Sequence, residues 1–281
     1  MLRARVLLLL LTTVGMTNSL SAQGASRPRY LALGDSVSFG FINQAGFEYV
    51  NANNFIGFPT YAGQGTKLNV INAACPGETT GSFLSSTAPD DDCRKFRAAG
   101  AQLHVSYNST QLAFALDFLK SHPNAGLITV CLGADDVLLL QASCLGDGLC
   151  IENGLPALLA GVTANMETIL ADLRATGFKG TIIVVNYYSL DYSDAAGTAV
   201  TAALNDALAA AAAQGGATVA DVFTVFQAAT VPAGGKTCNA GLLNASPLSE
   251  FTCDVHPSQS GQMLIGNVVA RTFAAARNVA Q

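Results

Sequence analysis

The chain alternates short, continuous apolar runs with longer stretches of helical period. The runs at residues 30–33, 69–73, 127–132, 181–185 and 217–220 lack apolar-polar alternation, the pattern of strands buried on both faces, so five strands are predicted there. Between and after them the spacing changes. Residues 110–121 carry Leu112, Leu116 and Leu119 at helical spacing and stop before Pro123. Pro156 reads as a residue of a first helical turn, where its missing N–H costs nothing, and opens a segment with Leu159, Val162, Met166, Ile169 and Leu173. A third helix, residues 195–214, is rich in alanine and ends at Gly215-Gly216. The last, residues 260–276, offers Met263, Ile265, Val268 and Val269 for burial. No internal repeat is present. Strand, helix, strand repeated in this way needs crossover connections, so the expected architecture is a three-layer α/β/α sandwich around a mostly parallel sheet of about five strands.

The first 24 residues do not belong to that pattern. Arg3 and Arg5 precede a short apolar run and then small polar residues, which reads as a secretory signal peptide cleaved between residues 21 and 25. That run is too short to span a bilayer, and no later stretch reads as a span, so no membrane anchor is expected after its removal. Residues 25–281 contain no Pro/Ser-rich linker and are read as one domain of a monomeric, secreted or periplasmic protein. A net charge of −5 with scattered basic residues argues against nucleic acid as a partner. Seven cysteines in an exported chain imply three disulfides and one free thiol. Pairing neighbours across loops gives Cys75 with Cys93, Cys144 with Cys150 and Cys238 with Cys253, leaving Cys131 in a buried run. No C-x-x-C pair or histidine cluster offers a metal site, and neither metal nor cofactor is expected.

Candidate chemistry sits at the ends of the predicted strands, where open α/β sheets bind ligands. Gly34-Asp35-Ser36 follows the first run and closes on Phe39-Gly40; Cys75-Pro76-Gly77-Glu78-Thr79-Thr80 follows the second; Gly133-Ala134-Asp135-Asp136 follows the third. Near the C-terminus, Asp254-Val255-His256-Pro257 precedes the last helix. His104 and His122 are not at expected strand ends, and His122 reads as a helix terminus. The four blocks in this order, across nearly the whole mature chain, resemble the SGNH (GDSL) hydrolase superfamily, with phrases similar to secreted bacterial esterases and lipases.

That resemblance implies a flavodoxin-like fold and ester hydrolysis through an acyl-enzyme on Ser36, with His256 as general base. It implies an oxyanion hole from the backbone N–H groups of Ser36 and Gly77 and a side chain at position 135. The sequence departs from the family twice. Position 135 is aspartate where the family has asparagine. Asp135 is protonated and donates, or points away, or leaves a weakened enzyme. Aspartate three residues before the histidine is replaced by Cys253, so His256 is oriented by Asp254, two residues back on the same face of an extended segment, or by a backbone carbonyl. The lipase G-x-S-x-G elbow is absent, Ser38 standing in place of its second glycine. The substrate is read as a small-molecule or lipid ester. Phe39, Phe41, Phe55, Phe58 and Tyr61, on a predicted long loop, and Tyr187-Tyr188 either line an acyl pocket or are core. Rival readings are a carbohydrate-ester deacetylase, a thioester hydrolase, a non-catalytic binding protein on the same fold, and a nucleotide or flavin binder. The last lacks phosphate-cradling glycines.

Overall fold

Three of the apolar runs form the inner strands of a five-stranded parallel sheet. The structure, a computed structural model, describes residues 27–43, 50–246 and 253–279; the predicted leader lies outside them. The strands are β1 (Arg29–Gly34), β2 (Asn69–Asn72), β3 (Leu127–Cys131), β4 (Thr181–Val185) and β5 (Thr218–Ala220), in spatial order β2-β1-β3-β4-β5. Every pairing is parallel, Tyr30 lying opposite Leu127 between β1 and β3 and Leu127 opposite Thr181 between β3 and β4. All of β3 and nearly all of β1 and β4 are buried, as unalternating runs require. Within this core the Tyr30 hydroxyl is satisfied by Thr129 Oγ1 at 2.9 Å.

Helices cover both faces. On one side pack α3 (Thr80–Leu84), α5 (Gln111–Ser121), α7 (Gly148–Ala175) and α8 (Ala195–Gln214); on the other α2 (Phe58–Thr66) crosses α10 (Gln259–Val279), which also meets β4 and β5. Short helices α1 (Ser36–Phe39), α4 (Cys93–Ala98), α6 (Ala134–Ser143) and α9 (Val222–Thr230) follow strand ends or connect longer elements. An antiparallel pair, β6 (Leu243–Ala245) and β7 (Cys253–Pro257), leads into α10. The three-layer α/β/α sandwich around a parallel sheet is therefore the fold of the chain.

Three local expectations are corrected. The helix predicted to open at Pro156 starts at Gly148, with Asp147 Oδ1 capping Cys150 N at 2.9 Å, and Pro156 lies inside it. The earlier start makes α7 28 residues long, and by length and composition it could cross a membrane, which the shorter prediction did not suggest. Its Val162, Met166, Ile169, Leu170 and Leu173 are buried in the sandwich. Met263 is 43% exposed rather than buried; Gly266 faces α2 instead. The predicted long loop after Gly40 contains α2, with Pro59 in its first turn. Its glycines hid the period because this helix packs through small residues. Gly65 approaches Ala270, and a Cβ on Gly266 would lie 2.6 Å from Tyr61 Cβ and 2.9 Å from the Phe58 carbonyl oxygen.

That close crossing separates two otherwise similar substitutions. Gly161, exposed inside α7, has nothing within 4 Å of a built Cβ, so Gly161→Ala is expected to stabilise the protein by about 0.5–1 kcal/mol through helix propensity. Gly266→Ala gains the same propensity but meets backbone, and a net loss of roughly 1–2 kcal/mol is expected. Urea midpoints at unchanged slope measure both.

Candidate active site

Strand β1 ends in a glycine because no side chain fits there. Gly34 has φ +145°, and a Cβ would lie 2.4 Å from the Cys131 carbonyl oxygen and 2.6 Å from Ser38 Oγ. The buried Gln111 side chain brackets this residue: Oε1 accepts from Gly34 N at 2.6 Å and Nε2 donates to Gly34 O at 3.0 Å. The chain then turns so that Asp35 N donates to Cys131 O at 3.1 Å, and Asp35 caps α1 by accepting from Val37 N at 2.9 Å. Ser36, half-buried, is the first residue of α1. Strand order reverses between β1 and β3, so Ser36 stands at the topological switch point of the sheet.

The C-terminal block comes to the same place. Strand β7 lies against α1, and His256 acts electrostatically on Asp35, the residue before the serine. Asp254 and His256 share a face of β7, and His256 Nδ1 lies 2.7 Å from Asp254 Oδ2, with both side chains largely buried. Burial works against charge on Asp254, but the hydrogen bond and charge of His256 outweigh it and hold the carboxyl below its usual range. Tyr188 Oη donates to Val255 O at 2.7 Å, and a disulfide joins Cys253 to Cys238, so β7 is fixed at two points just before the histidine. The Phe41 ring is 4.9 Å from the imidazole.

Blocks two and three are tied to each other. Gly77 has φ +81°, and a Cβ there would collide with Asp91 O at 1.7 Å. A disulfide between Cys75 and Cys93 spans this turn, and Asp91 N donates to Gly77 O at 2.8 Å. The buried Glu78 accepts from Ser82 Oγ at 2.5 Å and Gln111 Nε2 at 3.1 Å. Asp136 accepts from Thr80 N at 2.9 Å and Thr80 Oγ1 at 2.7 Å, fastening α6 to the start of α3. Asp135, by contrast, is 4% exposed in the first turn of α6, and its Oδ2 has no partner. Cys75, Glu78 and Cys93 bring ligand-type atoms within 4.8 Å of one another, but the two sulfurs are bonded to each other and supply no thiolate for a metal.

Against this geometry, the sequence model of the GDSL-like lipase/acylhydrolase family matches residues 32–264. The chain belongs to that family. It is accordingly a carboxylic ester hydrolase. Among solved structures, its fold is similar to phospholipase A1 from Streptomyces albidoflavus NA297, at TM-score 0.56 and 16% identity over 88% of this chain and 100% of that one. The extracellular lipase of Streptomyces rimosus matches at 0.54 and 18%, over 87% and 99%. A catalytic mutant of an acetylxylan esterase from Geobacillus stearothermophilus matches at 0.53 and 14%, over 88% and 94%. A search of curated proteins gives no match.

Beside β7 of this GDSL hydrolase opens a cleft of about 900 Å³, lined by Ala134, Val137, Leu138, Leu155, Tyr188 and Val255 among others, and by neither Ser36 nor His256. Its walls are α6 and α7 on one side and the segment after β4 on the other. The aromatic residues after Ser36 lie elsewhere. Phe39 and Phe55 form a small core with Ala52 and Ala74, with Phe41 packed on it, while Phe58 and Tyr61 meet α10. His104 Nε2 bonds Phe39 O at 3.0 Å, and His122 Nδ1 bonds Phe118 O at 3.0 Å at the end of α5; both are structural. Sequence reasoning missed Gln111, Asp35 and Gln262, whose Oε1 accepts from Phe58 N at 2.7 Å and whose Nε2 donates to Val37 O at 3.1 Å. A polar residue within a helical stretch is the sole trace of the two glutamines in the sequence, whereas Asp35 stands in the Gly34-Asp35-Ser36 block without a sign of its own role. The remaining pair, Cys144 with Cys150, and the unpaired, buried Cys131 complete the cysteine set.

Asp35 carries the electrostatic load beneath the serine. Burial raises its pKa to about 6 against the hydrogen bonds from Tyr187 Oη and Val37 N and the charge of His256. The folded carboxyl thus binds a proton more tightly than the unfolded one, near 4, so its contribution to stability is complete below about pH 4 and is lost as pH rises through about 6. Asn at this position keeps the cap without titrating. Relative to wild type, Asp35→Asn is expected to gain on the order of 2 kcal/mol between about pH 4 and about pH 7.5, measured by urea denaturation at both.

Proposed function

We propose that this hydrolase cleaves esters by two displacements at Ser36. His256 Nε2 takes the hydroxyl proton as Oγ attacks the acyl carbon, then gives it to the departing alcohol; water repeats the sequence on the acyl-enzyme. Asp254 holds Nδ1–H and compensates the imidazolium that forms, a role supported above all by the 2.7 Å contact between Asp254 Oδ2 and His256 Nδ1 on a β7 held against α1. The backbone N–H groups of Ser36 and Gly77 stabilise the tetrahedral oxyanion, a role for which the left-handed turn at Gly77 leaves no side chain in the way. Among the described residues, the carbonyl alternative for orienting His256 has no contact in its favour.

The substrate is an ester with an apolar acyl or alkyl chain, and the chain lies in the cleft beside Val255. Support comes from the mainly apolar surface of the lining and a volume suited to a lipid-sized group. Export is supported by the leader-like N-terminus and by three disulfides, which persist in oxidising compartments.

Hydrolysis of p-nitrophenyl butyrate and p-nitrophenyl palmitate is the direct test. Ser36→Ala is expected to lose roughly 10⁴- to 10⁶-fold in kcat, and Asp254→Asn roughly 10⁴-fold, with the fold intact by circular dichroism. Residual activity of Ser36→Ala near wild type sinks the mechanism. Leu138→Trp, which fills the cleft, is expected to lower kcat/KM for the palmitate about tenfold while sparing the butyrate.

A further inference from the structure

Two buried carboxyls share the switch point, and the hydrogen-bond donors are divided between them unequally. Asp35 is 1% exposed and receives Val37 N and Tyr187 Oη. Asp135 is 4% exposed, sits at the carboxyl end of β3, next to the end of β1 that carries Ser36, and its Oδ2 receives nothing. No salt bridge reaches it among the described residues. A buried carboxylate with an oxygen that lacks a donor is costly, whereas a neutral acid in the same place needs no donor and has one to offer. Where two such groups lie close together, the negative charge settles on the one with donors and the proton stays on the other.

We infer that Asp135 is a neutral carboxylic acid in the working enzyme and that its O–H donates to the oxyanion, making hydrolysis depend on a proton held at this one side chain. The inference rests on the Ser36 reading above. The surroundings agree. Asp35 faces Asp135 from the end of β1, Glu78 and Asp91 from the loops flanking α3 and α4, and Asp136 from its own helix, while Cys131 of β3 and Tyr187 after β4 lie close by. Burial first, then these four carboxyls, push its titration well upward. Tyr187 and Cys131 are likewise held protonated by burial and then by Asp35, so neither supplies a compensating charge change at neutral pH. The basic side chains nearby are engaged elsewhere: His256 with Asp254, and Arg97 with Glu78.

In the acylation step no proton need leave Asp135. The bond from Ser36 Oγ to carbon forms, the carbonyl π pair moves to oxygen, and that oxygen accepts a hydrogen bond from the acid until the carbonyl reforms and expels the alcohol. Ionising Asp135 removes the donor and sets a negative charge against the developing one. A neutral His256 is needed on the acid side and a neutral Asp135 on the alkaline side, so the pH profile has two limbs with different owners.

The experiment combines pH profiles of kcat/KM from about pH 5 to about pH 10 for wild type, Asp135→Asn, Asp135→Ser and Asp135→Ala with infrared difference spectra of ¹³C-aspartate-labelled protein. A protonated-carboxyl band at neutral pH that disappears in Asp135→Asn is expected. So is a wild-type alkaline limb falling tenfold per pH unit that is missing from Asp135→Asn, which then exceeds wild type at the alkaline end. Asp135→Ala is expected to lose about a hundredfold in kcat with little change in KM, and Asp135→Ser, a smaller hydroxyl donor, to recover part of that loss. An ionised carboxylate at neutral pH, or superposable alkaline limbs in wild type and Asp135→Asn, would overturn the inference. Covalent labelling of Ser36 by a phosphonate separates the two levels. Labelled serine with superposable limbs sinks only the role of Asp135; no labelling sinks the serine mechanism and this role with it, whatever the infrared band reports about the proton.

Discussion

The close approach at the end of β1 is the constraint from which the rest of the site follows. Gly34 must lie against the Cys131 carbonyl for Asp35 N to bond across to β3, and only a residue without a Cβ can do so. Gln111 closes on both backbone groups of Gly34 and reaches Glu78 with the same amide, so one side chain fixes the position of the serine turn relative to the Gly77 turn. On the other side Gln262 reaches from α10 to both α1 and α2. The strand end is thus clamped from both helical layers before any reacting group is considered. Placement at the reversal of strand order is a property of the fold, whereas fixed placement comes from two glutamines.

A second theme is the concentration of acidic groups under the site. Asp35, Glu78, Asp135 and Asp136 are all shielded from water, and burial drives each of them upward in pKa. Donors are assigned to three of them: Tyr187 and Val37 to Asp35, Ser82 and Gln111 to Glu78, Thr80 to Asp136. Such an arrangement is poor economy for stability, since apolar residues would fill the same volume without desolvated charge. It makes sense as a place where protons are held in defined positions, which is how one environment gives neighbouring carboxyls different jobs.

Much of the architecture was legible because unalternating runs have few other readings. Residues 181–185 and 195–214 fall within the observed strand and helix to the residue. The chemistry-bearing blocks were legible because glycines sit where strand ends must turn. What stayed hidden has physical reasons. Pro156 was read as an opening because proline favours first turns, yet it lies inside a helix already begun under an Asp147 cap. α2 packs by glycine contacts and so lacks the apolar stripe by which helices are read. The β6 and β7 strands are too short and too polar to signal pairing, although the same-face placement of Asp254 and His256 followed from strand geometry alone. Gln111 and Tyr187 act across 77 and 152 positions of chain, a relation that no local pattern encodes.

The bond between Cys238 and Cys253 has a consequence for when the protein works as well as how. It closes a separation of 15 residues and ends on the residue next to Asp254, at the root of the strand that presents His256. Closure of a span that short lowers the entropy of the unfolded chain by the equivalent of about 3 kcal/mol. In a reducing compartment that contribution is missing, and the imidazole is carried on a three-residue and a five-residue strand paired only to each other. Reduction would therefore free the root of β7 before it touched the sheet, so the redox state of one bond at the rim bears on the placement of a side chain that the sheet itself does not hold.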